Sequence, residues 1–545
     1  MALQYKLTGV EGVKIIEGVP GTIYERLLTE GFFLTLRALE RATRDDRAKA
    51  LQVRAAAQEA YNKGGIPRYK TETREIRQSD WNVKAKRPKN LTYQYAELVS
   101  PVSKASRIKR GFEAITRHGP HINGHYAAVF FADGEDAESP FFIPNVLGGQ
   151  LNLYLALRNE LEIEGYPTKQ AIPAVKYRPR GIHLEEINIL VDGKPASAMA
   201  FDTTLFYHPN VRLLKKIAES VNIYTPKLET IEDAAYVKKL QNNLEDLTNQ
   251  ERGTIHNSLI IETAPALVHM DEFAWELKDY VGEYSFGRYD MLFHMLMTFA
   301  KHPDKILPDE KFVSMDSPFL ALAQASMVDV CYRRGIYPQG GMEAWVPQKD
   351  RKKNADISEM IRAGALGELK RHMTGKWILH PDSVDDIVIM FMAGMNGKPT
   401  HNYIPSGMHP NEELLFQYPT GIVTAEDTKL AVYFALGYLA DFFGGNGASQ
   451  MKMKMFDAAV VEIQTFKLLE RKNKGVISDD TGIPITLDLM VKMLNDQKVE
   501  LIKDGKNPEH IEMAKRLLEE RLMSNDPGKH IIADAYQIIS GQRII

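Results

Sequence analysis

Between residues 105 and 395 the chain repeats one pattern, a short apolar run followed by a helical stretch. Ala127-Ala-Val-Phe-Phe-Ala132, Ile187-Asn-Ile-Leu-Val191, Ser258-Leu-Ile-Ile-Glu262 and Trp377-Ile-Leu-His380 are such runs. Continuous apolar runs of this length suit strands buried on both faces, and their alternation with helices predicts a parallel sheet. The segment is long enough for a (β/α)₈ barrel, an α/β fold that needs about 250 residues. In such a barrel the chemistry gathers at the C-terminal strand ends. Asp133, Glu262 and His380 close three of the runs, and Asp290 is a fourth candidate.

The whole chain, at 545 residues, exceeds one core, so further domains flank the barrel. Residues 1–104 are polar and open on an amphipathic helix, with Phe33, Leu36, Leu39 and Leu51 near helical spacings. Gly64, Gly65 and Pro67 stop it. This stretch reads as a helical clasp with no chemistry of its own. Residues 396–545 form a linker and a helical domain. The linker texture, rich in Gly, Pro, Asn and His, runs from Met395 to Glu412. Thr424 is placed to cap a helix that runs towards Phe443, and Leu487 to Leu494 and Ile511 to Leu522 continue the helical pattern.

Several function classes drop out. The formal net charge is −3, which leaves no general basic field for nucleic acid. Basic residues from Arg68 to Lys89 alternate with Glu72, Glu75 and Asp80, as on a solvated surface. The single cysteine, Cys331, rules out a disulfide within the chain and a multi-cysteine zinc site. No secretory signal is expected at Met1, and the longest apolar run, Ile387 to Met395, is too short to cross a bilayer. The ending Gln542-Arg-Ile-Ile545 carries no peroxisomal tripeptide. A soluble cytoplasmic protein is expected. No Walker A loop, Rossmann glycine fingerprint or serine nucleophile elbow stands in a suitable context.

The remaining candidates are charged residues at strand ends. Glu262 follows Leu259-Ile-Ile261, and a carboxylate there needs a compensating cation. Asp290, in Gly287-Arg-Tyr-Asp290, lies 28 residues further on, about one helix and one strand away. Two carboxylates with open positions suit Mg²⁺; on spacing alone a structural ion pair fits more readily. Arg178-Pro-Arg-Gly181 could clamp a carboxylate or oxyanion, or flank a surface loop. Asp133-Gly-Glu-Asp136 fits a solvated turn as well as a site. Asp457, in Met455-Phe-Asp-Ala-Ala459, is either an exposed helix residue or a buried base with a raised pKa.

In their order along the chain these motifs resemble those of the malate synthases, the shorter A-type form in particular. The blocks are Phe131-Ala-Asp-Gly-Glu-Asp136, Gly149-Gln-Leu-Asn152, Arg178-Pro-Arg-Gly181, Leu259-Ile-Ile-Glu-Thr263, Met270-Asp-Glu272 and Gly287-Arg-Tyr-Asp290. Met315-Asp-Ser-Pro-Phe319, Gly375-Lys-Trp-Ile-Leu-His-Pro381 and Phe456-Asp-Ala-Ala459 complete the set. The resemblance implies a clasp, a TIM barrel and a helical C-terminal domain that carries the base. It implies Mg²⁺ on Glu262 and Asp290, and a glyoxylate carboxylate held by backbone N–H groups near Arg288 and Tyr289. It implies Asp457 as the base that takes a proton from acetyl-CoA, and Arg178 as the partner of the enolate oxygen. Acetyl-CoA and glyoxylate are then the partners, with the protein a monomer or small homo-oligomer and no membrane or nucleic acid involved. Gly134, Tyr289 and Phe456 depart from the family's usual residues. A related enzyme with another 2-oxo acid or acyl-CoA is therefore a second reading, and a non-catalytic scaffold a third.

Overall fold

The computed structural model describes residues 3–119, 121–525 and 530–541. The chain's ending at Gln542 to Ile545 lies outside them. Eight parallel strands form the central sheet: Ala96–Pro101, Ala128–Asp133, Ala174–Arg178, Val221–Thr225, Ile255–Ile261, Val281–Phe286, Tyr337–Gln339 and Lys376–Ile378. Each of the first six pairs with the next in sequence, and the eighth pairs with the first. The seventh and eighth strands meet through Gly340, whose N–H donates to Gly375 O at 2.9 Å, while Trp377 N–H donates to Gly340 O at 3.0 Å. The sheet is a closed barrel, and helices separate its strands.

Two sequence expectations shift. The barrel starts at Ala96, ahead of the boundary drawn at residue 104, because its first strand, Ala-Glu-Leu-Val-Ser-Pro, hides two polar side chains in an otherwise apolar run. Ile187 to Val191 is not a barrel strand. It belongs to Glu185–Val191, in an antiparallel side sheet with Lys194–Ser197, Val13–Ile16 and Tyr5–Leu7. The first stretch of the chain is thus partly β. Val13 and Ile15 point inwards and Lys14 outwards, the period of two that a half-buried strand requires.

The long N-terminal helix, Glu30–Asn62, starts on Thr29, whose hydroxyl accepts from Phe32 N–H. Its buried stripe includes Phe32, Phe33, Leu36 and Leu39, and Arg54 also lies buried against the barrel. The C-terminal domain packs helices Ala425–Phe443, Ala458–Asn473, Leu487–Lys503 and Pro508–Met523 round their own apolar core. Thr424 caps the first of these by accepting from Asp427 N–H.

Inside the barrel, alternate residues of a strand point to the axis. Lys176 is fully buried there, with Nζ 2.9 Å from Glu97 Oε1 and 2.6 Å from Glu283 Oε1. The Tyr224 hydroxyl donates to the same two carboxylates. Phe131 stacks on Tyr224 at 4.3 Å, and Trp377 meets both rings edge-on. These layers fill the bore and leave the mouth as the place for a ligand.

Barrel closure gives a direct test. A Cβ on Gly375 would lie 1.8 Å from the backbone oxygen of Gln94, a clash that no rotamer relieves. Gly375→Ala is expected to cost about 3 kcal/mol or to prevent folding. Denaturant unfolding followed by circular dichroism checks this; an unchanged midpoint would contradict it.

Candidate active site

The third strand places Lys176 and Arg178 two residues apart on one face, so the strand that buries Lys176 in the bore also presents Arg178 at the mouth. Arg178 is held there as a fork. Nε donates to Asp133 Oδ1 at 2.6 Å, Nη2 to Asp133 Oδ2 at 2.6 Å, and Nη1 to Asp136 Oδ2 at 2.9 Å. Asp133 ends the second strand, and its oxygens also accept the N–H groups of Glu135 and Ala137. The Asp133-Gly-Glu-Asp136 segment is therefore a buried turn and not a solvated one. Its glycine has a packing reason: a Cβ on Gly134 would sit 2.5 Å from the Tyr177 hydroxyl and 2.9 Å from Arg178 O.

Lys227 is the residue that sequence reasoning missed. It follows the fourth strand, in Thr225-Pro-Lys227, with a left-handed backbone (φ 53°) that side chains other than glycine rarely adopt. Its Nζ lies 2.8 Å from Glu135 Oε2, 3.0 Å from Asp136 Oδ1 and 3.3 Å from Asp290 Oδ1. Its backbone N–H donates to Glu262 Oε1 at 2.7 Å. The N-terminal helix fixes this turn, because Arg54 Nη2 donates to Lys227 O at 2.6 Å while its other nitrogens bind Glu229 and Asp233. A buried lysine in a single strand-end tripeptide gave no periodic signal. Only the fold brings it to the carboxylates.

Glu262 and Asp290 meet as expected from neighbouring strand ends. Glu262 is fully buried just after the fifth strand, and Asp290 lies in the first turn of helix Arg288–Thr298 after the sixth. Burial pushes the Glu262 carboxyl well above the usual carboxylate range, and the charge of Asp290 adds to it. Burial and Asp136 likewise raise Asp290. Glu262 Oε2 is buried without a hydrogen-bond donor among the described residues, and Asp290 Oδ1 faces the Lys227 ammonium at 3.3 Å. A Cβ on Gly287 would lie 2.7 Å from Glu262 Oε2, so only glycine leaves that oxygen its place. Two adjacent, donor-poor carboxylates beside a helix N-terminus fit a hard divalent cation such as Mg²⁺.

Arg288 and Tyr289 open the same helix, with the guanidinium over the Tyr289 ring at 4.7 Å. Both line the pocket that also contains Arg178, Asp136, Asp290 and Asp457. Free backbone N–H groups of a helix's first turn attract anions.

Asp457 reaches this pocket from the C-terminal domain. The run Met451-Lys-Met-Lys-Met455 lies in a hairpin, Ser449–Met451 with Lys454–Phe456, turned at Lys452. Three backbone bonds seat it on the barrel: Met455 N to Ala344 O at 2.8 Å, Val346 N to Met453 O at 3.1 Å, and Ala458 N to Asp136 O at 3.1 Å. Asp457 then caps helix Ala458–Asn473 by accepting from Val460 N–H. Burial, followed by the charges of Asp136 and Asp290, pushes its carboxyl up to about 8. Phe456 stacks on Phe434 at 4.4 Å within the tail core. His380 stands apart from the carboxylates. It lines a cleft of about 260 Å³ that runs past Arg107, Arg110 and Pro381 to Asp457.

Fold and site together define an enzyme on a (β/α)₈ barrel, with a carboxylate pair at the strand ends and a third carboxylate supplied by an appended helical domain. Residues 174–411 match the family model "Malate synthase, TIM barrel domain", and residues 422–539 match "Malate synthase, C-terminal". A malate synthase of Myxococcus xanthus is 30% identical over 543 residues, covering 97% of both chains. A glyoxysomal malate synthase of Cucumis sativus is 30% identical, covering 88% of this chain and 84% of its own. Malate synthase A of Escherichia coli is 27% identical, covering 91% of this chain and 92% of its own. The chain belongs to the malate synthase family.

Lys227→Met would leave Glu135, Asp136 and Asp290 without their shared cation. Breaking a buried pair from one side costs about 3–5 kcal/mol. Thermal melting is expected to show the variant well below the parent without Mg²⁺, and to show a larger Mg²⁺-induced rise for the variant. Equal melting of the two proteins would argue against the role of Lys227 as the cluster's resident cation.

Proposed function

We propose that this chain condenses acetyl-CoA with glyoxylate to give malate and CoA, as an A-type enzyme of the cytoplasm. The observation that carries the reading is that Arg178, Asp290 and Asp457 line one pocket at the barrel mouth, with Glu262 beside Asp290. Family membership across both domains supports the same reaction. The single cysteine, Cys331, is buried and free, in keeping with a reducing compartment. No helix among the described residues is long and apolar enough to cross a membrane.

The cleft lined by Arg107, Arg110 and His380 suits the CoA moiety, because it carries cations for phosphate and leads to Asp457. Glu262 and Asp290 would hold Mg²⁺, whose chemistry when bound is Lewis-acid polarisation of the aldehyde. The N–H groups at Arg288 to Asp290 hold the glyoxylate carboxylate. Asp457 takes a proton from the acetyl methyl group. A thioester α-carbon is a weak acid, and a carboxylate raised to about 8 is a far better match to it than an ordinary aspartate. Arg178, fixed by Asp133, faces the enolate oxygen with a charge that needs no reorganisation. The hairpin seated over the mouth keeps bulk water from the enolate. The new carbon–carbon bond gives malyl-CoA, and its hydrolysis releases malate and CoA.

CoA release from acetyl-CoA and glyoxylate, read with a thiol reagent and with malate identified as product, tests the reaction. Asp457→Asn is expected to lower kcat by at least ~100-fold. The parent's kcat/KM for acetyl-CoA should fall as pH drops below about 8, where Asp457 becomes protonated. The same raised pKa has a stability sign. The folded carboxyl holds its proton more tightly than the unfolded one, so ionising it destabilises the fold as pH climbs from the ordinary carboxylate range to about 8. Asp457→Asn should therefore melt above the parent at pH 9 while being inactive. Normal turnover by this variant would remove Asp457 from the role of base.

A further inference from the structure

Tyr289 and Phe456, both departures from the family's usual residues, line one cavity that the roles above leave unused. Its other walls include Leu292, Leu307, Val313 and Ile463, at the seam of barrel and tail. We propose that Tyr289 sets the length of the acyl donor: its ring walls this cavity off from the reaction pocket and so confines the donor to a two-carbon acyl group. The proposal rests on the malate synthase reading and adds to it the residue that selects acetyl-CoA over longer acyl-CoAs.

Three observations support it. First, the partition is narrow. The cavity and the reaction pocket share Arg288 and Tyr289 and no other lining residue among those described. The Arg288 guanidinium lies over the Tyr289 ring at 4.7 Å, and that side chain packs against both the barrel core and the tail core. Second, the cavity lies beside the base. Asp457 lines the reaction pocket, while Phe456 before it and Val460, whose N–H donates to it, line the cavity. Third, size and chemistry suit an alkyl branch. The volume is about 50 Å³; an apolar space of ~150 Å³ holds six-carbon benzene, so this one suits about two carbons. Charged residues on its lining have partners already: Lys454 pairs with Glu310 at 2.6 Å and Lys467 with Asp427 at 2.7 Å.

The chemistry shows what the ring excludes. Asp457 takes a proton from the carbon next to the thioester carbonyl, which in acetyl-CoA carries only hydrogens. In propionyl-CoA a methyl group replaces one of them and must point away from both the base and the aldehyde. The cleft beside Arg107 is taken by CoA, so the space left next to Asp457 is the cavity, and Tyr289 stands across the way to it. With the ring gone, the same steps run on propionyl-CoA. The α-carbon gives its proton to Asp457 and bonds to the aldehyde carbon, and the aldehyde oxygen takes up a proton. The oxygen of water then bonds to the acyl carbon, the carbon–sulfur bond breaks, and a proton goes to the thiolate. The products are 3-methylmalate and CoA.

Tyr289→Ala tests this, because it removes the ring and keeps the backbone N–H that faces the acceptor. kcat/KM is measured with acetyl-CoA and with propionyl-CoA, each with glyoxylate and Mg²⁺, and the products are identified by mass spectrometry. One methylene in an apolar pocket discriminates by about 10–200-fold, so the expected result is a rise of roughly tenfold or more in the propionyl-to-acetyl ratio, with 3-methylmalate formed. Ile463→Phe in the same chain refills the cavity and is expected to bring the ratio back towards that of the parent. A packing role alone lowers both substrates together; an unchanged ratio in a folded variant would overturn the proposal. A parent that already uses both donors equally would overturn it too, as would a gain with pyruvate as acceptor and none with propionyl-CoA. Thermal melting identifies a variant that fails to fold, and Tyr289→Leu then decides. If the parent forms no malate from acetyl-CoA and glyoxylate, the underlying function is wrong and the selection falls with it.

Discussion

Everything at the barrel mouth depends on two buried cations that share a crowd of acids. Arg178 and Lys227 face Asp133, Glu135, Asp136 and Asp290, with Glu262 on the Lys227 backbone N–H. Removing so many carboxylates from water is tolerable only because each cation serves several of them at once. The balance is still short of positive charge. Asp136, set between the two cations, is held below its ordinary range despite burial, while Glu135, Glu262 and Asp290 are pushed above theirs. This asymmetry marks where a further cation belongs. Asp133 and Asp136, which Arg178 grips directly, are satisfied, whereas Glu262 beside Gly287 keeps an oxygen without a donor among the described residues.

The same electrostatics bear on Asp457. An aspartate flanked by Phe456, Ala458 and Ala459 has little local polar support beyond the N–H of Val460. Its raised pKa arises from burial against the barrel and from the negative charge of Asp136 and Asp290, which belong to another domain. The carboxyl is therefore tuned by docking. The three backbone bonds that seat the hairpin are as much part of its chemistry as its own carboxyl group.

Strand-end acids were legible because a charged residue closing an apolar run is a local signal: Asp133, Glu262 and the helix-borne Asp290 all lie at the mouth. The cap at Thr424 and the helix it starts were legible for the same reason. The first barrel strand was less clear, since Glu97 and Ser100 interrupt its apolar pattern for the sake of Lys176 and the bore. Ile187 to Val191 has the texture of a buried barrel strand, yet it pairs with the N-terminal strands; burial alone does not name the partner sheet. Lys227 had no sequence signature. Residues far apart in the chain meet there, and no spacing rule links them. Gly134, odd by family pattern, has a reason that only packing reveals, the Tyr177 hydroxyl.

The contact from Arg54 to the Lys227 turn sets an order of events in the life of the chain. Arg54 binds Lys227 O, Glu229 and Asp233 across a separation of 173 to 179 residues. During synthesis the first long helix therefore emerges with a buried-type arginine that has nothing to grip until the fourth strand and its turn have left the ribosome. At roughly 5–20 residues per second that is a wait on the order of ten seconds or more. Through that interval the helix exposes Phe32, Phe33 and Leu36 as well, an apolar stripe in need of shelter. The segment that looks most like a passive cover is thus the part of the protein most exposed to misassociation or to a chaperone, and the charges at the barrel mouth settle only after it docks.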